Sequence, residues 1–115
     1  MYHPSIPTVD VGAVPADAFL LDVREPDEWA AGHARGAVHV PIGEVTARVG
    51  ELTEQAGDAR VFVVCRVGGR SAQVTGFLAA QGVDAVNVDG GMLAWAAAGR
   101  PLVAGDSGAG EPYVL

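Results

Sequence analysis

The sequence predicts an α/β protein in which a parallel sheet is covered by helices on both faces. Its 115 residues are close to the common size of one domain. Short apolar runs alternate along the chain with segments of helical character. The apolar runs are continuous instead of alternating with polar residues, as is typical of strands buried on both faces of a parallel sheet.

The first half of the chain contains two predicted strands, each followed by a helix. Pro26 and the neighbouring acids favour the start of the first helix, and Gly32 can end it. Val45, Val49 and Leu52 recur at helical spacing in the second helix. The predicted elements are a strand over 18–23, a helix over 25–32, a strand over 37–41 and a helix over 45–55.

The second half repeats this order. The run from Val61 to Cys65 favours a strand most strongly, because consecutive β-forming residues occupy it. Gly82 fits the end of a helix, and Gly90-Gly91 fits a turn. The predicted elements are a strand over 61–65, a helix over 71–81, a strand over 85–88 and a helix over 92–98. The domain is expected to span 1–104, and the Gly-rich residues 105–115 are expected to form a flexible tail.

The composition narrows the classes of function. The net charge is −7, from 14 acidic residues against 7 basic ones, all of which are Arg. Such a chain is not expected to bind nucleic acid or a membrane surface. It shows no targeting segment and no apolar run long enough to span a bilayer, so a cytoplasmic location is expected. One Cys and three scattered His predict neither a disulfide framework nor a metal site, and no cofactor is expected.

The single cysteine lies where a reactive thiol is expected. In parallel sheets, ligands bind beyond the carboxyl ends of the strands, and Cys65 and Asp22 each lie at such an end of a predicted strand. The loop Arg66, Val67, Gly68, Gly69, Arg70 and Ser71 then leads into a helix. Its glycines allow backbone N–H groups to converge on an anion, and the helix start adds positive partial charge. Both features lower a thiol pKa.

Each part of this pattern also has an ordinary structural interpretation. A Cys at the end of an apolar strand is often only a small buried hydrophobic residue. Gly68-Gly69 fits an ordinary turn, and Ser71 an ordinary helix N-cap. The combination of these features with two arginines favours a functional site.

Cys65-x-x-Gly68-x-Arg70-Ser71 resembles the active-site loop of rhodanese-like sulfurtransferases. The resemblance extends to Leu21–Glu25, to Glu28-Trp29 with the Gly-His and Gly-Ala pairs after it, and to Asp89–Gly91 with Trp95. It implies a five-stranded parallel sheet flanked by helices, with Cys65 carrying the sulfur. Many relatives have Ile-Pro where this chain has Ala34-Arg35, which is expected to alter only the rim of the pocket.

By this resemblance, the Cys65 thiolate takes sulfur from a small anionic donor such as thiosulfate and holds it as a persulfide. A thiol, cyanide or a protein then accepts the sulfur. A persulfide delivery or interaction module remains an alternative. A cysteine phosphatase or arsenate reductase is a weaker one, because Ser71 stands where the Cys-x5-Arg pattern of those enzymes requires Arg.

The side chains around the loop have separate expected roles. The N–H groups of residues 66–70 are expected to stabilise the sulfur, and Arg66 to attract the donor. Arg70 is expected to pair with Asp22 or Glu25. Arg24 is expected at the pocket rim or paired with a surface acid, and His33 as a structural residue bonded to backbone.

Overall fold

A computed structural model describes residues 6–105 and 110–115, and within them five parallel strands form one sheet. The strands are β1 (Thr8–Val9), β2 (Phe19–Asp22), β3 (Val38–His39), β4 (Val61–Val64) and β5 (Ala85–Val88). Their order across the sheet is β1-β5-β4-β2-β3, and every neighbouring pair is parallel. The central strand β4 therefore lies between β5 and β2, which places both next to the carboxyl end from which the Cys65 loop leaves.

Helices connect the strands. In the described part of the chain they are α1 (Pro26–Ala31), α2 (Val45–Ala56), α3 (Gly69–Ala80) and α4 (Gly91–Ala97), with short 3-10 turns at Val11–Ala13 and Ile42–Glu44. None of the helices described is long and apolar enough to cross a membrane.

The core has two layers because successive strand residues point to opposite faces of the sheet. On one face, Leu21 and Val63 pack with Leu52 of α2 and Leu78 of α3. A second apolar cluster covers the other face, where strand residues pack with α4 and the first 3-10 turn; it contains Leu20, Phe62, Val64, Val86, Met92 and Trp95. Helical cover on both faces confirms the predicted α/β architecture.

Three details of the fold differ from the sequence predictions. The edge strand β1 was not predicted from the pattern, since two residues are too short to show a period. Helix α3 begins at Gly69 instead of Ser71, with Gly68 as its N-cap. Strand β3 has only two residues of the predicted 37–41.

The C-terminal residues 110–115 return to the domain. The Tyr113 N–H donates to the Ala31 carbonyl over 3.0 Å, and Val114 packs against the cluster that contains Trp95. Residues 106–109 of the tail predicted over 105–115 lie outside the described residues, as do residues 1–5. The domain boundary at residue 104 stays a prediction.

Candidate active site

Cys65 lies directly after β4, at the carboxyl edge of the sheet. Parallel pairing aligns Asp22 of β2 with Val64, so the ends of these two strands are neighbours. The Cys65 side chain is buried, with 1% of its surface exposed. The strands on each side of β4 therefore fix the position from which Cys65 leaves the sheet.

The loop after Cys65 wraps hydrogen-bond donors around the sulfur. The Gly68 N–H donates to Cys65 Sγ over 3.1 Å, and the Ser71 N–H does so over 3.4 Å. The Ser71 hydroxyl lies 3.2 Å from the same sulfur. Gly68 has a φ of +115°, a conformation that side-chain-bearing residues rarely adopt, and this turn brings its N–H and the helix start onto one point.

These donors lower the pKa of the Cys65 thiol. Burial raises the pKa of the Cys65 thiol, because it disfavours the charged form. The hydrogen bonds from the Ser71 hydroxyl and from the N–H groups of Ser71, Gly68 and Val67 outweigh burial and bring the pKa below its ordinary value. The site is therefore suited to hold a negative sulfur, although no ionised base contacts it in the described part of the chain.

The start of α4 supports the loop from behind. The Met92 N–H donates to the Cys65 carbonyl over 2.8 Å, and the Leu93 N–H donates to the Arg66 carbonyl over 3.1 Å. Gly91 makes this approach possible, since a Cβ there would overlap both carbonyl oxygens. These two hydrogen bonds tie the backbone of Cys65 and of the first loop residue to the start of α4.

Arg70 pairs with Glu28 of α1, so the predicted contact with Asp22 or Glu25 is wrong. Arg70 Nη1 and Nη2 donate to the two Glu28 carboxylate oxygens over 2.7 and 2.9 Å, a two-pronged contact. The hydrogen bonds from Arg70 lower the Glu28 pKa to about 2. Glu25 instead lies at the N-cap of α1, where its backbone N–H donates to the Glu28 carboxylate over 3.0 Å.

Asp22 pairs with Arg24, and both side chains are fully buried. Arg24 Nε and Nη2 donate to the Asp22 carboxylate, and Nη2 also donates to the Gly32 carbonyl over 2.8 Å. The prediction that Arg24 lies at the pocket rim or meets a surface acid is therefore wrong. The Asp22 carboxylate at the end of β2 is therefore bound by Arg24, and Arg70 pairs with a different carboxylate.

His33 contacts backbone and an aromatic ring, not the sulfur. Its Nδ1 donates to the Trp29 carbonyl over 2.8 Å, and the His33 and Trp29 rings stack 3.5 Å apart. His39 stacks on the same Trp29 and donates from Nε2 to the Arg24 carbonyl over 2.8 Å. The stack ties α1 to the buried Arg24, which agrees with the structural interpretation of His33.

The exposed side chains of the loop are Arg66 and Val67. Arg66 Nε donates to a main-chain oxygen of Leu115 over 2.9 Å, so residues 110–115 reach the loop after Cys65. Val67 is 54% exposed at the loop's outer side. Sequence reasoning did not foresee the Arg66 contact, because nothing in the polar tail indicates where its end docks.

Two further polar residues of the site, Glu28 and Asn87, were not among the predicted site residues. Asn87 of β5 is buried, and its Oδ1 lies 2.6 Å from the Ser71 hydroxyl oxygen. Its Nδ2 donates to the Gly68 carbonyl over 3.3 Å. The available signals were a polar amide inside an apolar strand and an acid three residues after Glu25.

A cleft of about 220 Å³ lies away from Cys65, near the amino ends of β2 and β3. It is lined by small apolar residues, by Trp95 and by two arginines, Arg35 and Arg100. Neither Cys65 nor its loop contributes to its walls, so this cleft is separate from the reactive thiol.

Comparison with known proteins identifies the family and the fold. The family model of the rhodanese-like domain matches residues 10–98. A sulfurtransferase of Allochromatium vinosum is 38% identical over 89 residues, which cover 76% of this chain and 80% of that protein. Among solved structures, a rhodanese-related protein from Thermoplasma volcanium superimposes with a TM-score of 0.77 at 30% identity, covering 84% of this chain and 97% of that one. A thiosulfate sulfurtransferase from Pseudomonas aeruginosa gives 0.76 at 29% identity, over 88% of this chain and 21% of that one.

Proposed function

The chain belongs to the rhodanese-like domain family and is a sulfurtransferase of the rhodanese type, and we propose that it carries sulfur from thiosulfate as a persulfide on Cys65. The observation that carries the proposal is the convergence of two N–H groups and one hydroxyl on a buried sulfur. Such preorganised donors stabilise negative charge without moving when it appears.

In the loading step, the Cys65 thiolate attacks the outer sulfur of thiosulfate. A new S–S bond forms, the S–S bond of thiosulfate breaks, and sulfite leaves with the electron pair. The negative charge then lies on the outer sulfur of the persulfide. The N–H groups of Gly69 and Arg70, in the first turn of α3, have no acceptor within the helix and are available for that sulfur.

In the transfer step, a nucleophilic acceptor attacks the outer sulfur and Cys65 returns to the thiolate. The chain has no second cysteine to resolve the persulfide, so the acceptor comes from outside. Cyanide, a small thiol and a protein thiol all meet the chemical requirement. The proposal places the protein in the cytoplasm, where a lone thiol stays reduced.

Arg66 is proposed to attract the anionic donor. Its side chain is exposed beside the loop that carries Cys65, so a small anion can meet this cation on its way to the thiol. In a chain of net charge −7, a local cation next to the thiol favours the encounter with a dianion.

The test is the intact mass of the protein after incubation with thiosulfate. Wild type is expected to gain the mass of one sulfur atom, to lose it on addition of cyanide, and to release thiocyanate. Cys65→Ser is expected to gain nothing while its circular dichroism stays unchanged. A wild type that gains no sulfur from thiosulfate overturns the donor assignment, and a gain in Cys65→Ser overturns the role of the cysteine.

A further inference from the structure

Asn87 is a polar side chain inside the most buried part of the sheet. All four residues of β5 are buried, and Asn87 is 6% exposed between Val86 and Val88. An amide buried in such surroundings costs free energy unless its polar atoms are bonded. Its hydrogen bonds, within the described residues, go only to the catalytic loop and the start of α3.

The orientation of the amide follows from its two partners. The Gly68 carbonyl can only accept, so the Asn87 atom 3.3 Å from it is Nδ2. Oδ1 therefore faces the Ser71 hydroxyl, at 2.6 Å. Since Oδ1 can only accept, it is an alternative hydrogen-bond acceptor for that hydroxyl.

The Ser71 hydroxyl has one proton and two neighbours that can take it. Oγ lies 2.6 Å from Asn87 Oδ1 and 3.2 Å from Cys65 Sγ. When the sulfur is a thiol, its proton can point to Ser71 Oγ while Ser71 donates to Asn87. When the sulfur is a thiolate, the stronger acceptor is the charged sulfur, and Asn87 Oδ1 loses its donor.

We propose that Asn87 is a positioning residue that competes with Cys65 for the single Ser71 proton, and thereby makes the hydroxyl respond to the charge on the sulfur. The hydroxyl donates to Sγ while the negative charge lies there. It returns to Asn87 when Sγ is uncharged.

This inference gives Asn87 a part in the cycle, and it rests on the proposed persulfide chemistry of Cys65. Loading moves the negative charge from Sγ to the added outer sulfur. The Ser71 proton then turns back to Asn87, which regains its hydrogen bond. Asn87 thus stabilises the persulfide state of Cys65 relative to the resting thiolate. It also limits the stabilisation of the thiolate, and an over-stabilised thiolate is a weaker nucleophile.

The charged groups around Cys65 also affect its pKa, and they are the same in every variant of the experiment below. They are the Arg70–Glu28 pair of α3 and α1, the buried Arg24–Asp22 pair after β2, Arg66 in the loop, and Asp89 in the turn after β5.

The experiment is a double-mutant cycle of Asn87→Ala and Ser71→Ala, read as the pKa of Cys65 from thiolate absorbance without any sulfur donor. Loss of the Nδ2 contact to Gly68 affects both backgrounds equally and cancels, so the difference isolates the path through the hydroxyl. Asn87→Ala is expected to favour the thiolate about tenfold more in the Ser71 background than in the Ser71→Ala background.

Equal changes in the two backgrounds, or a difference of opposite sign, would overturn the inference. Asn87→Leu, which is similar in size, repeats the cycle if Asn87→Ala does not fold. Thr75→Val is the matched control: its buried hydroxyl donates to the Ser71 carbonyl over 2.8 Å but does not reach the sulfur, and no coupling with Ser71 is expected. Because no sulfur donor is present in the titration, the result is independent of whether thiosulfate loads Cys65.

Discussion

The two glycine-rich turns that follow β4 and β5 have the same local structure and opposite uses. Each leaves a buried strand, places a glycine at positive φ as N-cap, Gly68 or Gly90, and enters a helix. After β4 the N–H groups converge on a sulfur, whereas after β5 they bind the carbonyls of Cys65 and Arg66. A strand–turn–helix unit is thus not by itself a reactive site; what lies at its N–H groups decides its role.

The comparison implies that the turn after β5 sets the conformation of the turn after β4. Gly91→Ala is expected to disrupt the contact between the two turns. Its φ is +57°, and a Cβ there would overlap the Cys65 and Arg66 carbonyl oxygens. We expect a loss of at least about 2 kcal/mol in the free energy of unfolding, measured with urea, together with loss of sulfur loading. Loading at the wild-type rate would show that the backing by α4 is dispensable.

The two adjacent glycines of the first turn, Gly68 and Gly69, allow the need for a positive φ to be tested apart from the need for space. Gly68 has positive φ, so Gly68→Ala is expected to strain the loop by about 1 kcal/mol, raise the Cys65 pKa and slow loading about tenfold. A Cβ at Gly69 would meet no atom within 4 Å, and Gly69→Ala is expected to load normally. The test is to measure the Cys65 pKa and the single-turnover rate of sulfur loading in both variants. Equal pKa values and equal rates in the two variants would contradict the prediction.

Glu28→Gln tests the Arg70–Glu28 ion pair, which joins the start of α3 after the first turn to α1. The pKa of Glu28 is about 2 instead of 4.5, so the carboxylate contributes stability above about pH 4.5 and loses it as the pH falls towards 2. We expect Glu28→Gln to cost about 1 kcal/mol at neutral pH, with the difference from wild type closing on acidification. Urea unfolding across this pH range measures it, with the exposed Glu54→Gln as control. A difference that does not change with pH would exclude the charge as its cause.

The smallest effect is expected from Arg66→Ala, which changes the approach to the first turn and not its shape. Unfolding should change by less than about 0.5 kcal/mol, since the side chain is exposed. KM for thiosulfate should rise about threefold at low salt and approach the wild-type value as salt screens the charge. Arg35→Ala, an exposed arginine that lines the distant cleft, is the control. A salt-independent loss in kcat would instead place Arg66 in the chemical step.

The sequence predicted the strand ends and the loop because those depend on local pattern. Continuous apolar runs located β2, β4 and β5, and the glycines after Cys65 located the turn. It did not predict the partner of Arg70, because Asp22, Glu25 and Glu28 all lie within one short stretch near the same edge. Arg24 folds back onto Asp22 and Glu25 lies at the N-cap of α1, so Glu28 is the carboxylate that meets Arg70, 42 residues along the chain.

The sequence by itself thus determined that this protein is an α/β sheet with one thiol at the carboxyl end of a strand, because burial periodicity and glycine punctuation are properties of neighbouring residues. The tertiary structure decided which groups from outside the loop support that thiol. Parallel pairing of β4 with β5 brings Asn87 to Ser71, 16 residues away, and the α4 turn to the back of the loop. Contacts across strands depend on register and distance in space, which no local pattern encodes.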